Sequence, residues 1–203
     1  MELTKYFLTV LAGYLLGSMS VSILVSSRIM GGDVRTKGSG NAGATNMARV
    51  YGWSAGVLTL AGDALKAAVS MVIGYILLGD YGLAAGGIAC IIGHCYPVYH
   101  CFKGGKGVSV GAAIALAIDW RVFVAVAVTF FVVAFISKKV SLGSVCGAVM
   151  ITVASALFGE TLPKLILAIV SMILVVFQHR ENLKRLYAGT EPDFKAGKRK
   201  KED

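Results

Sequence analysis

Long apolar runs separated by short polar segments divide most of the chain. A bilayer core of roughly 30 Å needs about 20 apolar residues per helix, and fewer where flanking side chains reach the interface. Seven runs meet or approach this length, and they cover residues 6–27, 51–79, 81–102, 107–118, 122–137, 140–159 and 165–178. The pattern predicts an all-α integral membrane bundle of seven transmembrane helices, which forms one domain over residues 1–190.

The basic residues predict the direction of these spans, because lysine and arginine collect on the cytoplasmic side of a membrane protein. With the N-terminus outside and the C-terminus cytoplasmic, 16 of the 20 basic residues lie inside, three lie outside and one lies within a span. Merging the fourth and fifth runs would put Lys103 and Lys106 on the opposite side from Lys138 and Lys139. A six-span arrangement is therefore disfavoured.

Composition excludes a soluble domain, since 56% of the 203 residues are hydrophobic. The formal charge of +9 looks like a nucleic-acid signal, but in a bilayer protein the basic residues mark topology, and no nucleic-acid partner is expected. The four cysteines lack metal-ligand spacing and are interpreted as buried, small apolar residues. No metal and no cofactor are expected, and residues 191–203 are predicted to form a solvated basic cytoplasmic tail.

The richest polar segment, residues 31–49, follows the first run. Its glycines let successive N–H groups point into one concavity, and Ser39, Thr45 and Arg49 add donors and charge suited to a phosphate. A flexible loop is the alternative. The G-x-G-x-x-G spacing at 38–43 is coincidental, because a dinucleotide motif needs a preceding strand and the flanks here are membrane spans.

Two further polar segments lie on the same predicted face. Lys106 precedes the start of the fourth run, where free N–H groups favour an anion, while Lys103 is interpreted as an interfacial anchor and His94 as a core histidine. Residues 178–185 extend the last helix, and His179 and Asn182 share one face of it. These segments predict an anion site at the cytoplasmic interface.

Three positions outside these segments also carry polar chemistry. Ser144 lies near the start of the sixth run, on the inner face. Asp63 and Lys66 are i,i+3 neighbours within a span, where ionisable groups usually indicate function. A self-contained ion pair that braces the bundle explains them equally well, and both interpretations stay open.

Three runs of residues carry a resemblance to a known family. The runs Gly-Ser-Gly-Asn-x-Gly-Ala-Thr-Asn-x-x-Arg at 38–49, Lys-Gly-Gly-Lys-Gly at 103–107 and His-Arg-Glu-Asn at 179–182 resemble the bacterial acyl-phosphate:glycerol-3-phosphate acyltransferases. The resemblance implies a multi-pass enzyme of the bacterial inner membrane with its active site on the cytoplasmic face. It implies transfer of a fatty acyl group from acyl phosphate to the sn-1 hydroxyl of glycerol 3-phosphate, giving lysophosphatidic acid and phosphate in the first step of phospholipid synthesis.

The resemblance also implies roles for individual residues. The implied catalytic residues are Ser39, Arg49, Lys106, His179 and Asn182. The implied phosphate-binding residues are Gly38, Gly40, Asn41, Gly43, Thr45, Asn46, Gly104, Gly105 and Ser144. The base is either His179 or a phosphate oxygen of the donor, and the oligomeric state stays open. Two positions depart from the family pattern, since Gln178 replaces a common arginine and Ala67 replaces a common glycine.

Two other classes are disfavoured. A small anion channel or transporter should place ionisable groups along a path through the membrane, whereas the polar segments here lie on one face. An acyl-CoA-dependent enzyme with histidine followed five residues later by aspartate is also disfavoured, because none of the three histidines has that partner.

Overall fold

The computed structural model describes residues 1–193, whose regular secondary structure is helical, with no strand among them. Its helices are α1 (Glu2–Ser18), α2 (Val21–Arg28), α3 (Ala44–Tyr51), α4 (Trp53–Cys95), α5 (Val108–Ile118), α6 (Trp120–Ser137), α7 (Val140–Leu157), α8 (Leu162–Gln178) and α9 (Arg180–Tyr187). Short 3₁₀ turns cover Val34–Thr36 and Val98–His100. The remainder of the predicted basic tail lies outside the described residues.

Helix α4 is a hairpin of two antiparallel halves. Its backbone leaves the helical region at Leu78 and at Gly79, where φ is +60° and ψ is −144°, values that favour glycine. The halves pack so closely that a Cβ at Gly74 or Gly82 would overlap the other residue's carbonyl group. Four residues further from the turn in each half, the Ser70 hydroxyl donates to the Gly86 carbonyl at 2.8 Å.

Glycines also bring α1 against the second half of α4. Gly17 faces the backbone of Cys90, and Gly93 faces the backbone of Tyr14, so neither position has room for a Cβ. Small residues allow this backbone approach inside a membrane, where association cannot rely on the hydrophobic effect. On the other side of the hairpin, the main core joins α4, α5, α7 and α8 around fully buried apolar side chains such as Ile91, Ile114 and Leu167.

The structure corrects three predicted boundaries. The first run is broken at Met19 and Ser20, between α1 and α2. The third run ends at Cys95 rather than at residue 102, and the chain then turns through Val98–His100. Helix α9 does not continue α8, because the two helices bend by 57° at His179. That bend places α9 beside the polar loops.

Among the described residues, four helical segments are long and apolar enough to cross a bilayer, or five if α8 and α9 form one bent span. The hairpin α4 counts once in that number, and α5 has only 11 residues. Helix α6 exposes large apolar side chains such as Phe131, Phe135 and Ile136, as a lipid-facing helix does. The seven-span count and the orientation stay predictions.

Candidate functional site

A cavity of about 160 Å³ opens where the polar segments meet. It lies between α3, the N-terminal ends of α5 and α7, and the bend between α8 and α9. Ten residues proposed from the sequence line it: Ser39, Asn41, Gly43, Thr45, Asn46, Arg49, Lys106, Ser144, His179 and Asn182. Residues up to 143 positions apart in the chain are thus brought together.

Helix α3 places part of the first polar segment. Gly43 is its N-cap, Thr45 lies in its first turn and Arg49 lies one turn further on the same face. Both Thr45 and Arg49 are half-buried at the cavity. A hydroxyl and a guanidinium therefore reach the same space from one rigid helix.

Asn46 shapes the loop that precedes α3. Its amide group is fully buried, and Nδ2 donates to the carbonyls of Val34, Lys37 and Asn41 at 3.0–3.1 Å. Oδ1 accepts from the backbone N–H of Ser39 at 2.9 Å. These bonds give Asn46 a role in holding the loop, and its role in direct phosphate binding stays a prediction.

Lys106 brings a cation to the cavity, and its ammonium group is partly buried and close to other positive charges. Its Nζ donates to Oδ1 of Asn182. Burial lowers the pKa of Lys106, and the positive charge of Arg185 lowers it further. A bound anion would offset both effects, so the surroundings of Lys106 favour an anionic ligand.

His179 occupies the bend between α8 and α9 and is buried. Its Nδ1 lies 2.8 Å from the carbonyl oxygen of Val175, which can only accept, so Nδ1 donates. Burial is the main reason that the pKa of His179 falls to about 4. The ring is therefore neutral at pH 7, and its Nε2 is an acceptor for a hydroxyl hydrogen.

Glu191 belongs to the site although sequence reasoning placed it in a solvated tail. It is 7% exposed, and its Oε1 accepts from the Ser141 hydroxyl and from Nδ2 of Asn182, both at 2.7 Å. Nε of Arg185 donates to Oε2 at 2.8 Å. Burial raises the pKa of Glu191, but these hydrogen bonds outweigh it and leave the pKa below its usual value.

Four glycines that were predicted to bind phosphate do not line this cavity. Gly38 turns the first loop with a φ of +60° and packs against Oδ1 of Asn46. Gly40, Gly104 and Gly105 line a neighbouring groove that also includes Ser39 and Lys106.

The structure extends the interpretation of one residue and corrects that of another. His94, interpreted as a core histidine, is buried but also lines the cavity. Cys101, interpreted as buried, is exposed.

A second cavity, of about 230 Å³, adjoins the polar one and is almost entirely apolar. The two cavities share four lining residues, which are Leu60, Val108, Phe130 and Ser144. The apolar cavity continues between α5, α6 and α7 towards Phe123, Val126 and Ile151. A ligand with an anionic head and an apolar tail matches this pair of spaces.

Comparison with known proteins agrees with this chemistry. Residues 7–189 match the family model described as glycerol-3-phosphate acyltransferase. A glycerol-3-phosphate acyltransferase of Syntrophotalea carbinolica is 40% identical over 197 residues, which cover 96% of this chain and 100% of that protein.

Two crystal structures are similar to the fold. Both are of PlsY (YgiH), an integral membrane glycerol 3-phosphate acyltransferase. Its glycerol 3-phosphate form has a TM-score of 0.89 and 33% identity, covering 94% of this chain and 96% of that one. Its lysophosphatidic acid form has a TM-score of 0.87 and 32% identity, covering 94% and 95%. The chain therefore belongs to the glycerol-3-phosphate acyltransferase family of integral membrane proteins.

Proposed function

We propose that this protein transfers a fatty acyl group from an acyl phosphate to the sn-1 hydroxyl of glycerol 3-phosphate. The products are lysophosphatidic acid and phosphate, and the reaction is the first step of phospholipid synthesis. The observation that carries the proposal is the shared wall of the two cavities, because both substrates have a phosphate and only the donor has a long apolar chain.

Arg49 and Lys106 supply the charge that two phosphate groups require, and Ser39 and Thr45 add hydroxyl donors at the same cavity. Charge-assisted hydrogen bonds of this kind are the stronger ones in proteins. Cations fixed beforehand also stabilise the charge that builds up on the leaving phosphate. These four residues are assigned to phosphate binding, and Asn182 orients Lys106 through their hydrogen bond.

The reaction needs little covalent help from the protein, since an acyl phosphate is already an activated anhydride. The sn-1 oxygen attacks the acyl carbon, the bond from that carbon to the phosphate oxygen breaks, and the hydroxyl proton must leave. His179 is a weak base because its pKa is about 4. A phosphate oxygen has a pKa near 6 and is the better proton acceptor. His179 then orients the hydroxyl by accepting its hydrogen bond at Nε2.

The apolar cavity is assigned to the acyl chain. Ser144 and Val108 line both cavities, which supports an acyl carbon held close to the cations, and the far walls of the apolar cavity are aromatic and aliphatic. Burial of the chain there supplies binding energy and aligns the carbonyl for attack. An anion channel is the alternative, but a polar cavity that continues into an apolar one does not form a path for phosphate.

The protein is proposed to lie in the inner membrane of a bacterium with this site on the cytoplasmic face. The distribution of basic residues supports that orientation, and cytoplasmic exposure gives access to the soluble substrate glycerol 3-phosphate.

An assay of the purified protein in detergent tests the proposal. Palmitoyl phosphate or palmitoyl-CoA is added with glycerol 3-phosphate, and lysophosphatidic acid is measured by mass spectrometry. We expect the product from acyl phosphate, one phosphate per turnover, and little product from acyl-CoA. An Arg49→Ala preparation controls for contaminating enzymes. Product from acyl-CoA with none from acyl phosphate contradicts the proposed donor.

A further inference from the structure

A buried charged cluster lies beside the cavity, where α1 meets α4. It consists of Asp63, Lys66 and His94, whose side chains are 1%, 7% and 5% exposed. Ionisable groups inside a membrane-spanning segment are costly and usually serve a function. Neither phosphate binding nor acyl-chain binding, as proposed above, uses this cluster.

Lys66 directs its hydrogen bonds into the cluster. Its Nζ lies 2.8 Å from Oδ1 of Asp63, 2.8 Å from the carbonyl oxygen of Met19 and 3.1 Å from Nδ1 of His94. An ammonium group has three N–H donors and no acceptor, so Lys66 donates to the Met19 carbonyl and to Nδ1 of His94, while its contact with Asp63 is an ion pair. Nδ1 of His94 is then an acceptor, and the neutral ring carries its proton on Nε2. The hydrogen bond from Lys66 therefore fixes both the position and the tautomer of the ring, and the ion pair with Asp63 holds Lys66.

The ring of His94 supports the loop that precedes α5. The N–H groups of Gly104 and Gly105 donate to the carbonyls of Cys95 and His94, at 3.2 and 3.0 Å. Gly105 has no room for a Cβ, because that atom would overlap Nε2 of His94. The carbonyl oxygen of Ala42, in the first polar loop, lies 2.8 Å from the same point. Gly105 is thus packed between the ring and the first polar loop.

Lys106 follows Gly105 directly, and its Nζ reaches Asn182. Only Gly105 lies between the His94 ring and Lys106, so a displacement of the ring would move Gly105 and the backbone of Lys106 with it. We propose that Asp63, Lys66 and His94 form a positioning cluster, which holds residues 104–106 where Lys106 binds the phosphate of glycerol 3-phosphate. This inference rests on the phosphate-binding role proposed for Lys106.

A simple brace between α1 and α4 makes a different prediction. Its loss would lower the stability of the bundle and leave the contact between Lys106 and a bound phosphate unchanged. The two explanations are therefore separated by ligand binding in folded protein.

Calorimetric titration of glycerol 3-phosphate into the purified protein measures this binding without any acyl donor. His94→Asn keeps an acceptor near Nδ1 but removes the part of the ring against Gly105. The double variant Asp63→Asn/Lys66→Met removes both charges together, which avoids leaving one buried charge unpaired. We expect the dissociation constant to rise about 10- to 100-fold in both, as small displacements of a positioned group do.

Two matched variants accompany them. Ser70→Ala removes a buried hydrogen bond to Gly86 in the same hairpin, away from the loop. It should bind glycerol 3-phosphate as the wild type does, within about twofold. His94→Gln reaches towards the position of Nε2 and should restore much of the affinity that His94→Asn loses. Thermal melting in detergent verifies that each preparation is folded.

Combination with Lys106→Ala supplies the decisive comparison, because residues that act through one another are not additive. If the cluster acts through Lys106, adding His94→Asn or the charge-neutral pair to Lys106→Ala should weaken binding no further. Effects that multiply in the combined variants overturn the inference. Binding equal to that of Ser70→Ala in the folded cluster variants also overturns it. Failure of acyl phosphate as the donor would leave these binding results standing.

Discussion

Lys103 and Lys106 lie three residues apart in the chain but in different surroundings. Lys103 is exposed, whereas Lys106 is half-buried at the cavity and contacts Asn182. Removing a charged hydrogen-bond partner costs about 1.5–3 kcal/mol, which is roughly ten- to hundredfold in kcat/KM. We expect that loss in Lys106→Ala, and a change of less than about 0.5 kcal/mol in Lys103→Ala. Steady-state kinetics with varied glycerol 3-phosphate measures both, and a larger loss in Lys103→Ala contradicts the assignment.

His179 should make the stability of the protein depend on pH. Its pKa is about 4 in the folded protein and 6.5 in its ordinary state. Between these values the unfolded chain binds a proton at this residue and the folded protein does not, so stability falls as pH falls through that window. His179→Gln cannot titrate. We expect its Tm in detergent to fall less than the wild-type Tm between pH 7 and pH 5, and equal falls would contradict the buried neutral ring.

Residue types and spacing predict the hydrogen-bond donors and cations of the site better than they predict the residues that hold these groups in place. Arg49, Lys106 and His179 could be proposed because each lies in a dense polar run at one predicted interface. Glu191 lies in a run with basic residues on both sides, and nothing local indicates that its carboxylate folds back onto Ser141. Tertiary hydrogen bonds decide such positions, and hydrophobic periodicity carries no information about them.

At the scale of helices, backbone contact between α1 and α4 depends on glycine. A methyl group at Gly17 would overlap the backbone of Cys90, whereas at Gly111 the nearest neighbour is Ile151 Cδ1 at 3.8 Å. Overpacking of this kind costs about 1–3 kcal/mol. We therefore expect Gly17→Ala to lower the Tm in detergent. Gly111→Ala is the matched control and should leave the Tm unchanged or raise it, because alanine favours a helix interior. Equal melting of the two variants would contradict the described contact.

The cavity between α5, α6 and α7 should determine the length of the acyl chain that the enzyme accepts. Gly147 lines this cavity, with Phe130 Cβ at 3.6 Å from the position of an added Cβ. A leucine there fills space that the chain occupies in our proposal. We expect Gly147→Leu to favour shorter acyl phosphates in a competition assay, while Gly147→Ala keeps the wild-type preference. An unchanged preference in folded Gly147→Leu would contradict this assignment of the cavity.

The apolar pattern predicts which segments are helical. Where a helix ends depends on local turns and on tertiary hydrogen bonds, which the pattern does not show. The turn at Leu78 and Gly79 lies at the predicted gap between two runs. The break at Met19 and Ser20 lies inside an apolar run, and Lys66 hydrogen-bonds the Met19 carbonyl there. A partner 47 residues away in the chain stabilises that break, so local periodicity could not predict it.

For the molecule as a whole, the predicted orientation can be tested by labelling. Thr36 and Thr161 are both exposed, in polar turns that the topology places on opposite sides of the membrane. The single variants Thr36→Cys and Thr161→Cys are made in a background without the exposed Cys101. We expect an impermeant thiol reagent to label Thr161→Cys in intact cells and to label Thr36→Cys only after lysis. The reverse result would place the polar cavity on the outer face.

The central claim is that one ligand, the acyl donor, spans the polar and apolar cavities, with its phosphate beside Arg49 and its chain between α5, α6 and α7. Photo-crosslinking with a non-hydrolysable acyl phosphonate, carrying a diazirine near the carbonyl end of its chain, tests this directly. We predict that the labelled peptides, identified by mass spectrometry, come from the walls around Phe130 and Ile151. Excess glycerol 3-phosphate should not move the label, and Arg49→Ala should reduce it. Labelling confined to the lipid-exposed side chains of α1, with none in the apolar cavity, would contradict the account.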